Sequence, residues 1–487
     1  MRTLRVALAV LPAILVCACS NGSAPSAEID VIGAPMDPFD TGPRLSPAGQ
    51  LVRAATAEGL VGLDEQGRVI PALADRWIVT DDGLSYIFRL RDGAWPGGAE
   101  ISGETAKAAL RSALAGLAGT SLGLDLSGVE EIRAMAGRVV EIRLSRPVPD
   151  LLQLLAQPEL GLVYKGSGGG PMVLRRNGDA AALTPIPPGH LGLPQPAGWR
   201  ERVRTVLVRA VPAHVATERF ATGQVDVVLG GRFESLPLAQ AVAGLSRRPL
   251  KLDPAPGLFG LAVATSRGWL AVAECREAMA LTIDRDAVAS ALGLGGWGGR
   301  AAPVPLPLPA TMPGGSWIDR PLAERRAEAS ARIARCKASH GDPGPLRLAL
   351  PDGPGAEALH ASLAQDFAAI GLALARVPAR VPGDLRLLDA VARYPRPDWY
   401  LHQLSCATLR GPCSAEADAR LAAAQAQTDP AKSAQLLSQA QGISAGAAVF
   451  IPLGAPVRWS LVRERVEGFS PNPAAFHPLP PLAGQAL

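Results

Sequence analysis

Four cysteines outside the N-terminal segment are the side chains best suited to covalent chemistry. Cys275 and Cys336 lie far apart in the sequence, whereas Cys406 and Cys413 close the short segment CATLRGPC. The N-terminus has the pattern of a secretory signal, and four cysteines in an exported chain indicate two disulfides. A bond between Cys275 and Cys336 would tie two helices, but the sequence alone leaves three connectivities open.

Metal binding by histidine and cysteine is not favoured by the spacing of these residues. The six histidines are scattered over positions 190, 214, 340, 360, 402 and 477, and no two of them are four residues apart. A metal site needs clustered ligands, and His402 near Cys406 is a single pair. We therefore expect no metal site and no cofactor.

Signatures of catalysis and of nucleotide binding are incomplete. A hydrolase of the Gly-x-Ser-x-Gly type is not indicated, because the segment with Gly244 and Ser246 ends in Arg248. Residues 293–298 fit G-x-G-x-x-G, but they follow a predicted helix, the reverse of the dinucleotide-binding context. Residues 165–172 (KGSGGGPM) lack the Lys-Ser/Thr of a phosphate loop and are interpreted as a turn. The sequence predicts that the protein is not an enzyme.

Residues 1–18 are predicted to be a lipoprotein signal peptide. Arg2 and Arg5 precede an apolar core that is too short to span a bilayer. Cys19 follows a small alanine, as the lipidated cysteine of a lipobox does, although both early cysteines could belong to a signal that is cut later. Residues 19–27 are then a flexible linker, and acyl chains on Cys19 would hold the protein on a membrane.

Length and charge limit the remaining classes. A chain of 487 residues can form two or three domains with sizeable cores. The hydrophobic content is 48% but the aromatic content is only 4%, so Ala, Leu and Val must form most of these cores. A net charge of +4 without a basic run does not indicate nucleic-acid binding.

The stretch 70–98 carries the most distinctive pattern of elements. Two strands are joined by the turn Asp81-Asp82-Gly83, and Tyr86, Phe88 and Leu90 share one face of the second strand. A helix over 99–115 is expected to follow. Elsewhere we predict strands over 28–33, 138–144, 258–267, 346–350, 372–377 and 449–453, helices over 51–60, 321–339, 356–370, 418–426 and 431–441, and a strand–helix–strand unit over 204–230 that implies parallel strands.

This stretch resembles the signature of the family 5 extracellular solute-binding proteins, the peptide- and nickel-binding components of ABC importers. The family pattern is filled by Pro71-Ala72-Leu73-Ala74, Trp77, Asp82-Gly83, Tyr86, Phe88, Leu90-Arg91, Gly93, Trp95 and Gly98, with the last Trp one place early. Further blocks match at Glu58-Gly59-Leu60, where an aromatic is replaced by Ala57, and at Val466-Glu467-Gly468-Phe469. The resemblance covers about residues 50 to 470.

The resemblance implies an α/β fold of the two-lobed periplasmic-binding-protein type. It is the large, type II peptide-binding class, with mixed sheets in each lobe, an extra subdomain and a ligand cleft between the lobes. We expect lobe I to contain residues 28–62, 166–247 and 453–487, the extra subdomain to contain 63–165 and to pack on lobe I, and lobe II to contain 248–452.

The resemblance also places the ligand site in the second lobe. Peptide-binding relatives hold the α-amino group of the peptide with an acidic residue in a motif similar to Trp-x-x-Asp-Tyr-x-x-Pro. Here residues 390–397 read AVARYPRP, and Arg393 stands where the Asp is expected. A guanidinium repels an ammonium group but suits a carboxylate or a phosphate. A shift in register would let Asp389 or Asp398 take the acidic role instead.

The candidate ligand-binding residues are Arg393, Tyr394, Trp399, Tyr400 and Trp297. For each of them, a packed or surface side chain is the alternative.

The sequence therefore predicts a lipid-anchored substrate-binding component of an ABC importer. Its partners would be a peptide-like or anionic small solute, a permease with its ATPase, and the membrane that holds the anchor. We expect an exported monomer on the periplasmic side of the cell envelope. An accessory or sensor lipoprotein that kept the fold without transport is the alternative.

Overall fold

The computed structural model describes residues 26–148, 150–244, 248–294 and 320–484. The predicted signal peptide, Cys19 and Trp297 lie outside these ranges. The strands are β1 (Ala27–Ile32), β2 (Val61–Leu63), β3 (Val69–Pro71), β4 (Ala74–Val79), β5 (Ser85–Leu90), β6 (Val129–Met135), β7 (Val139–Leu144), β8 (Val163–Tyr164), β9 (Ser167–Gly168), β10 (Met172–Asn177), β11 (Ala180–Pro185), β12 (Val206–Val211), β13 (Val227–Arg232), β14 (Leu250–Leu252), β15 (Gly257–Val263), β16 (Leu346–Leu350), β17 (Leu374–Pro378), β18 (Leu385–Val391), β19 (Phe450–Gly454) and β20 (Arg458–Val462). The α-helices are α1 (Pro47–Thr56), α2 (Gly103–Gly116), α3 (Ser121–Asp125), α4 (Leu151–Leu155), α5 (Ala213–Ala221), α6 (Leu236–Ala243), α7 (Ala273–Thr282), α8 (Arg285–Ala291), α9 (Leu322–His340), α10 (Pro354–Ala368), α11 (Pro397–Gln403), α12 (Ala415–Gln425), α13 (Pro430–Gly446) and α14 (Leu479–Leu482).

A mixed sheet of seven strands forms the first lobe, in the order β10-β11-β12-β1-β13-β20-β14. β1 lies parallel to both β12 and β13, and the other neighbours are antiparallel. The unit β12-α5-β13 is the predicted strand–helix–strand segment, and its helix returns the chain so that both strands run the same way. The predicted helix over 51–60 begins earlier, because Ser46 caps it by accepting a hydrogen bond from the Gly49 N–H.

A second mixed sheet of five strands forms the second lobe, in the order β17-β16-β18-β15-β19. β17, β16 and β18 are parallel, while β15 pairs antiparallel with β18 and β19. Every residue of β15 is buried, which accounts for its unbroken apolar sequence GLFGLAV. Both lobes thus have the mixed sheets that the sequence predicted.

A four-stranded antiparallel sheet, β4-β5-β7-β6, forms the extra subdomain. Its first hairpin is the predicted one, with Tyr86, Phe88 and Leu90 buried on one face. The signature residue Arg91 is buried and forms an ion pair with Glu58. Its guanidinium also donates to the carbonyl oxygens of Ala72 and Gly169, each at 3.0 Å. Arg91 thus fastens the subdomain to the first lobe, which is a scaffold role rather than a ligand contact.

The glycine-rich segment after β8 is shaped by close backbone packing. A Cβ atom on Gly170 would lie 2.4 Å from the carbonyl carbon of Thr56 and 2.6 Å from the oxygen of Ala55. Only glycine lets the segment approach the end of α1 this closely. This packing agrees with the interpretation of residues 165–172 as a turn.

The subdomain packs against the second lobe as well as the first. Its core residues Leu122 and Val148 belong to the same hydrophobic cluster as Tyr394, Trp399 and Leu404 of the second lobe. The predicted packing on lobe I is thus accompanied by a contact that the sequence did not predict. The domain boundaries given above stay a prediction.

The chain passes between the first and second lobes at two places. Residues 253–256 connect β14 of the first sheet to β15 of the second, and residues 455–457 connect β19 back to β20. Two short connections side by side are the arrangement about which lobes can open and close.

Two disulfides lie in the second lobe. Cys275 of α7 is bonded to Cys336 of α9, with their Cα atoms 6.1 Å apart. Cys406 is bonded to Cys413, with a Cα separation of 5.1 Å. Of the three connectivities left open by the sequence, the structure has the one that ties two helices and closes the short loop.

The two disulfides should contribute unequally to stability. They close segments with sequence separations of 61 and 7 residues. Since the entropy lost by the unfolded chain grows with the length of the closed loop, removal should cost about 4 kcal/mol for Cys275–Cys336 and about 2 kcal/mol for Cys406–Cys413. Denaturant unfolding of the two double serine variants measures both losses. Equal losses would contradict this expectation.

Candidate functional site

A cleft of about 850 Å³ lies between the two lobes and the subdomain. Its size is within the range of about 300–1,000 Å³ that is typical of small-molecule sites. It is lined by residues of the segments 43–50, 117–124, 153–159, 386–393, 407–410 and 474–476, together with Leu63, Gly67, Gly230, Arg232, Trp399, Gln403 and Arg458. All three parts of the molecule therefore contribute to one cavity.

Strand β18 forms much of the second-lobe wall because its side chains alternate between two faces. Leu385 and Leu387 pack into the core of the second lobe, whereas Leu388 and Ala390 pack on the side of the subdomain. Arg386 has the same parity as Leu388 and Ala390, and it lines the cleft.

An ion pair joins the lobes beside the two chain connections. Arg458 Nη1 of β20 donates to both carboxylate oxygens of Asp389 in β18, at 2.8 and 2.9 Å. The two side chains are only 11% and 8% exposed. Burial lowers the pKa of the Arg458 guanidinium, and the Asp389 carboxylate opposes that shift. Asp389 is therefore engaged by Arg458, and a ligand ammonium group would have to compete with that pair.

Arg393 forms a second interlobe ion pair. Its Nη1 donates to Asp125 Oδ2 of α3 at 2.7 Å and to Ser121 Oγ at 3.1 Å. The Asp125 side chain is completely buried, and its other oxygen lies 3.0 Å from His402 Nδ1. His402 Nε2 in turn lies 2.8 Å from the Gln425 amide nitrogen. A polar network thus connects the subdomain to α11 and α12.

This network bears directly on the predicted role of Arg393. The residue does line the cleft, but its charge is compensated by a carboxylate of the same chain. An anionic solute would have to compete with Asp125, whose buried charge would then lose its main partner. The role of Arg393 as a direct ligand contact stays a prediction, and the geometry favours an interlobe role for this side chain.

The three other described candidates have different surroundings. Trp399 lines the cleft, and its ring meets Tyr400 edge-on with centroids 5.0 Å apart. Tyr394 and Tyr400 are buried in the core shared by the subdomain and the second lobe, and they are not among the residues that line the cleft. Burial raises the pKa of the Tyr394 hydroxyl, and the nearby Asp398 adds to that shift. Trp297 lies outside the described residues.

Two cleft arginines were not predicted. Arg386 and Arg410 line the cleft and have no hydrogen bond or ion pair with any side chain in the described parts of the chain. Burial lowers the pKa of Arg386, and the positive charge of Arg410 lowers it further. The chain holds many arginines, so no single one was a signal in the sequence. The position of Arg410 inside the segment closed by Cys406 and Cys413 was the available clue.

Two searches of the described residues gave no site. No group of three or more His, Cys, Asp or Glu residues in these ranges could hold a metal ion. No helix within them is both long and apolar enough to cross a membrane.

Comparison with known proteins links this architecture to a family. Residues 68–181 match the model described as "Bacterial extracellular solute-binding proteins, family 5 Middle". The match covers the subdomain and the signature hairpin. This confirms the resemblance to the family 5 solute-binding proteins.

Sequence relatives are matched over part of their length. The Escherichia coli K12 protein called "Probable deoxycholate-binding periplasmic protein YgiS" is 34% identical over 129 residues, which are 21% of this chain and 23% of that protein. The periplasmic murein peptide-binding protein MppA of the same organism is 24% identical over 340 residues, 60% of this chain and 59% of that protein. The chain thus spans less than two thirds of these relatives in the sequence matches.

Solved structures match over nearly the whole chain. The E. coli murein tripeptide binding protein MppA has a TM-score of 0.76 at 18% identity, covering 95% of this chain and 99% of that one. Haemophilus influenzae OppA in complex with the peptide RPPGFSPFR has a TM-score of 0.75 at 18% identity, covering 95% and 100%. The chain therefore has the two-lobed fold of the OppA and MppA structures, as the sequence predicted.

Loss of the Asp125 carboxylate should strongly destabilise the protein. Asp125→Asn leaves the Arg393 guanidinium without its counter-charge in a largely buried place, so we expect the free energy of unfolding to fall by about 3 kcal/mol. Adding Arg393→Met should cost less than the sum of the single changes, because neither charge then remains unpaired. A double-mutant cycle measures this coupling. Glu104→Gln, which removes an exposed partner of Lys107, should change stability by less than about 1 kcal/mol. Additive effects at Asp125 and Arg393 would contradict the pairing.

Glu234 should make stability depend on pH. It lies near Arg458 and Asp389, and one of its buried carboxylate oxygens has no hydrogen-bond partner in the described residues. Burial raises its pKa above the ordinary 4.5, so the folded protein holds this proton more tightly than the unfolded chain does. Stability from this group is therefore complete below pH 4.5 and is lost as the pH rises through the folded-state pKa.

The variant Glu234→Gln tests that dependence, because it resembles the protonated side chain at every pH. We expect it to match the wild type at pH 4 and to be more stable at pH 7, measured by thermal unfolding at several pH values. A wild type that gains stability over the variant as pH rises would show instead that neighbouring arginines stabilise the Glu234 charge.

Proposed function

We propose that the protein is the lipid-anchored substrate-binding component of an ABC importer. It captures a peptide-like or anionic small solute and delivers it to a permease and its ATPase. The observation that carries the proposal is the cleft itself, a single cavity bounded by both lobes and the subdomain beside the two chain connections.

Closure of the cleft would report that a solute is bound. A solute that touches both walls has more contacts in the closed form, and only this difference in affinity can shift the lobes towards closure. The connections at 253–256 and 455–457 are short, so the lobes can move as rigid bodies about them. The permease would then recognise the closed form, and no chemistry would be done on the solute.

The printed ligands of similar proteins support the class of solute. MppA is described as binding murein tripeptide, OppA was solved with a nonapeptide, and YgiS is named as a probable binder of deoxycholate. Peptides and a carboxylate without an amine are both represented, which agrees with a peptide-like or anionic solute here.

The anchor and the location follow from the N-terminal sequence. Cys19 would carry the acyl chains, and the segment 19–27 would let the body stand away from the membrane. The protein would act as an exported monomer on the periplasmic side of the cell envelope.

An accessory or sensor lipoprotein is the second candidate. It is favoured by one observation, the interlobe pairing of Arg393 with Asp125, which holds the cleft walls together through side chains of the chain itself. A binding protein that closes on its own groups would have less need of a solute.

A thermal-shift screen distinguishes the two candidates. The purified full-length protein would be heated in detergent with free-amine peptides, N-acetylated peptides and anionic metabolites. A solute at 100 times its Kd should add about 2.7 kcal/mol to the free energy of unfolding. Stabilisation by any class supports a substrate-binding component. No stabilisation by any of them would contradict that function and favour the accessory lipoprotein.

A further inference from the structure

The second-lobe wall of the cleft carries two positive charges that the described chain does not neutralise. Arg386 lies on the cleft face of β18, and Arg410 lies in the loop between Cys406 and Cys413. The two guanidinium groups are close enough that each disfavours the charge of the other. A pair of like charges in a partly buried wall is unfavourable for folding, so it calls for a functional explanation.

The loop that carries Arg410 is held rigidly against the sheet. The disulfide closes it, and Thr408 Oγ1 donates to the carbonyl oxygens of His402 and Gln403, at 3.0 and 2.8 Å, at the end of α11. A Cβ atom on Gly411 would lie 2.1 Å from the Val263 oxygen, so only glycine allows the loop to approach β15 so closely. Since Arg386 pairs in register with the neighbouring Ala262, this approach brings Arg410 beside Arg386.

Two further donors line the same cleft without acceptors. Trp399 is 1% exposed, and its indole N–H has no hydrogen-bond partner among the described residues. Gln403, one turn further along α11, accepts from Ser121 Oγ through its oxygen, while its amide nitrogen also has no partner. Buried polar groups are usually paired, so these unused donors indicate a ligand with hydrogen-bond acceptors.

The charge balance of the whole cleft agrees with this. Removing the two internal ion pairs, Arg393 with Asp125 and Arg458 with Asp389, leaves Arg44, Arg232, Arg386 and Arg410 against the single carboxylate of Glu159. Glu159 already accepts a hydrogen bond from the Gln50 amide at 2.8 Å. Electrostatic complementarity therefore favours a solute of net negative charge.

We propose that the solute is a small acidic molecule whose carboxylate is held between Arg386 and Arg410, with the N–H groups of Trp399 and Gln403 donating to other oxygen atoms of the same molecule. The inference rests on the proposed binding function and specifies the class of solute. Two guanidinium groups can each donate two parallel hydrogen bonds to a carboxylate, and the added negative charge relieves their mutual repulsion. Arg393, the position expected from the sequence, is not required because Asp125 already occupies it.

Three matched peptides test the inference on the full-length protein in detergent. N-acetyl-glutamyl-alanine carries two carboxylates, N-acetyl-glutaminyl-alanine amide is uncharged, and glutaminyl-alanine amide carries a free amine. Only the first should raise the unfolding temperature. Arg386→Met and Arg410→Met should each weaken its binding about 10- to 100-fold, since each removes a charged hydrogen-bond donor. Arg111→Met removes an exposed arginine of α2, far from the cleft, and should leave binding unchanged.

The outcomes separate the inference from the proposed function. Stabilisation by the uncharged or amine peptide but not by the acidic one overturns the inference and leaves the binding function standing. Equal binding of the acidic peptide to the wild type and both arginine variants also overturns it. Failure of all three peptides overturns the inference, and failure of the full solute screen would overturn the binding function as well.

A measurement without any solute adds an independent test. Arg386→Met keeps most of the apolar stem but removes the charge that faces Arg410. We expect this variant to unfold at a higher temperature than the wild type when no solute is added. A lower unfolding temperature would show that Arg386 stabilises the fold, and would overturn its role as a binding group.

Discussion

The buried carboxylate of Asp125 constrains how the second lobe and the subdomain can be arranged. A charge removed from water needs an opposite charge and hydrogen bonds close by, and here Arg393, Ser121 and His402 form that network around Asp125. These groups come from segments more than 250 residues apart in the sequence. The network can exist only while α3 packs against α11, so it couples the position of the subdomain to that of the second lobe.

That constraint also changes the chemistry of the cleft. Arg393 and Asp125 neutralise each other, as Arg458 and Asp389 do beside the chain connections. The charges that remain for a solute are those of Arg386 and Arg410 on the second-lobe wall and of Arg44 and Arg232 nearer the first lobe. A site that would suit a peptide ammonium group in relatives is thus occupied by an internal ion pair, and the remaining wall suits an acid.

Local pattern was sufficient to predict most of the fold. The alternation of Tyr86, Phe88 and Leu90, and the strand–helix–strand unit of the first lobe, are periodic features that depend on neighbours in sequence. The pairing of Cys275 with Cys336 was one of three possibilities and needed the three-dimensional arrangement. The cleft was harder to predict, because Arg386 and Asp125 are defined by which partners they meet or lack across long separations, and a sequence motif records neither. The motif at 390–397 led to Arg393, whose actual partner lies in another part of the chain.

The most direct measurement is the identity of the solute that the protein carries from its own cells. The protein would be purified from native membranes without added ligand and denatured, and the small molecules released would be analysed by mass spectrometry. A cleft with uncompensated Arg386 and Arg410 predicts release of a small acid with net negative charge. Release of a neutral or positively charged peptide with a free amine would contradict the conclusion that these arginines determine what is bound.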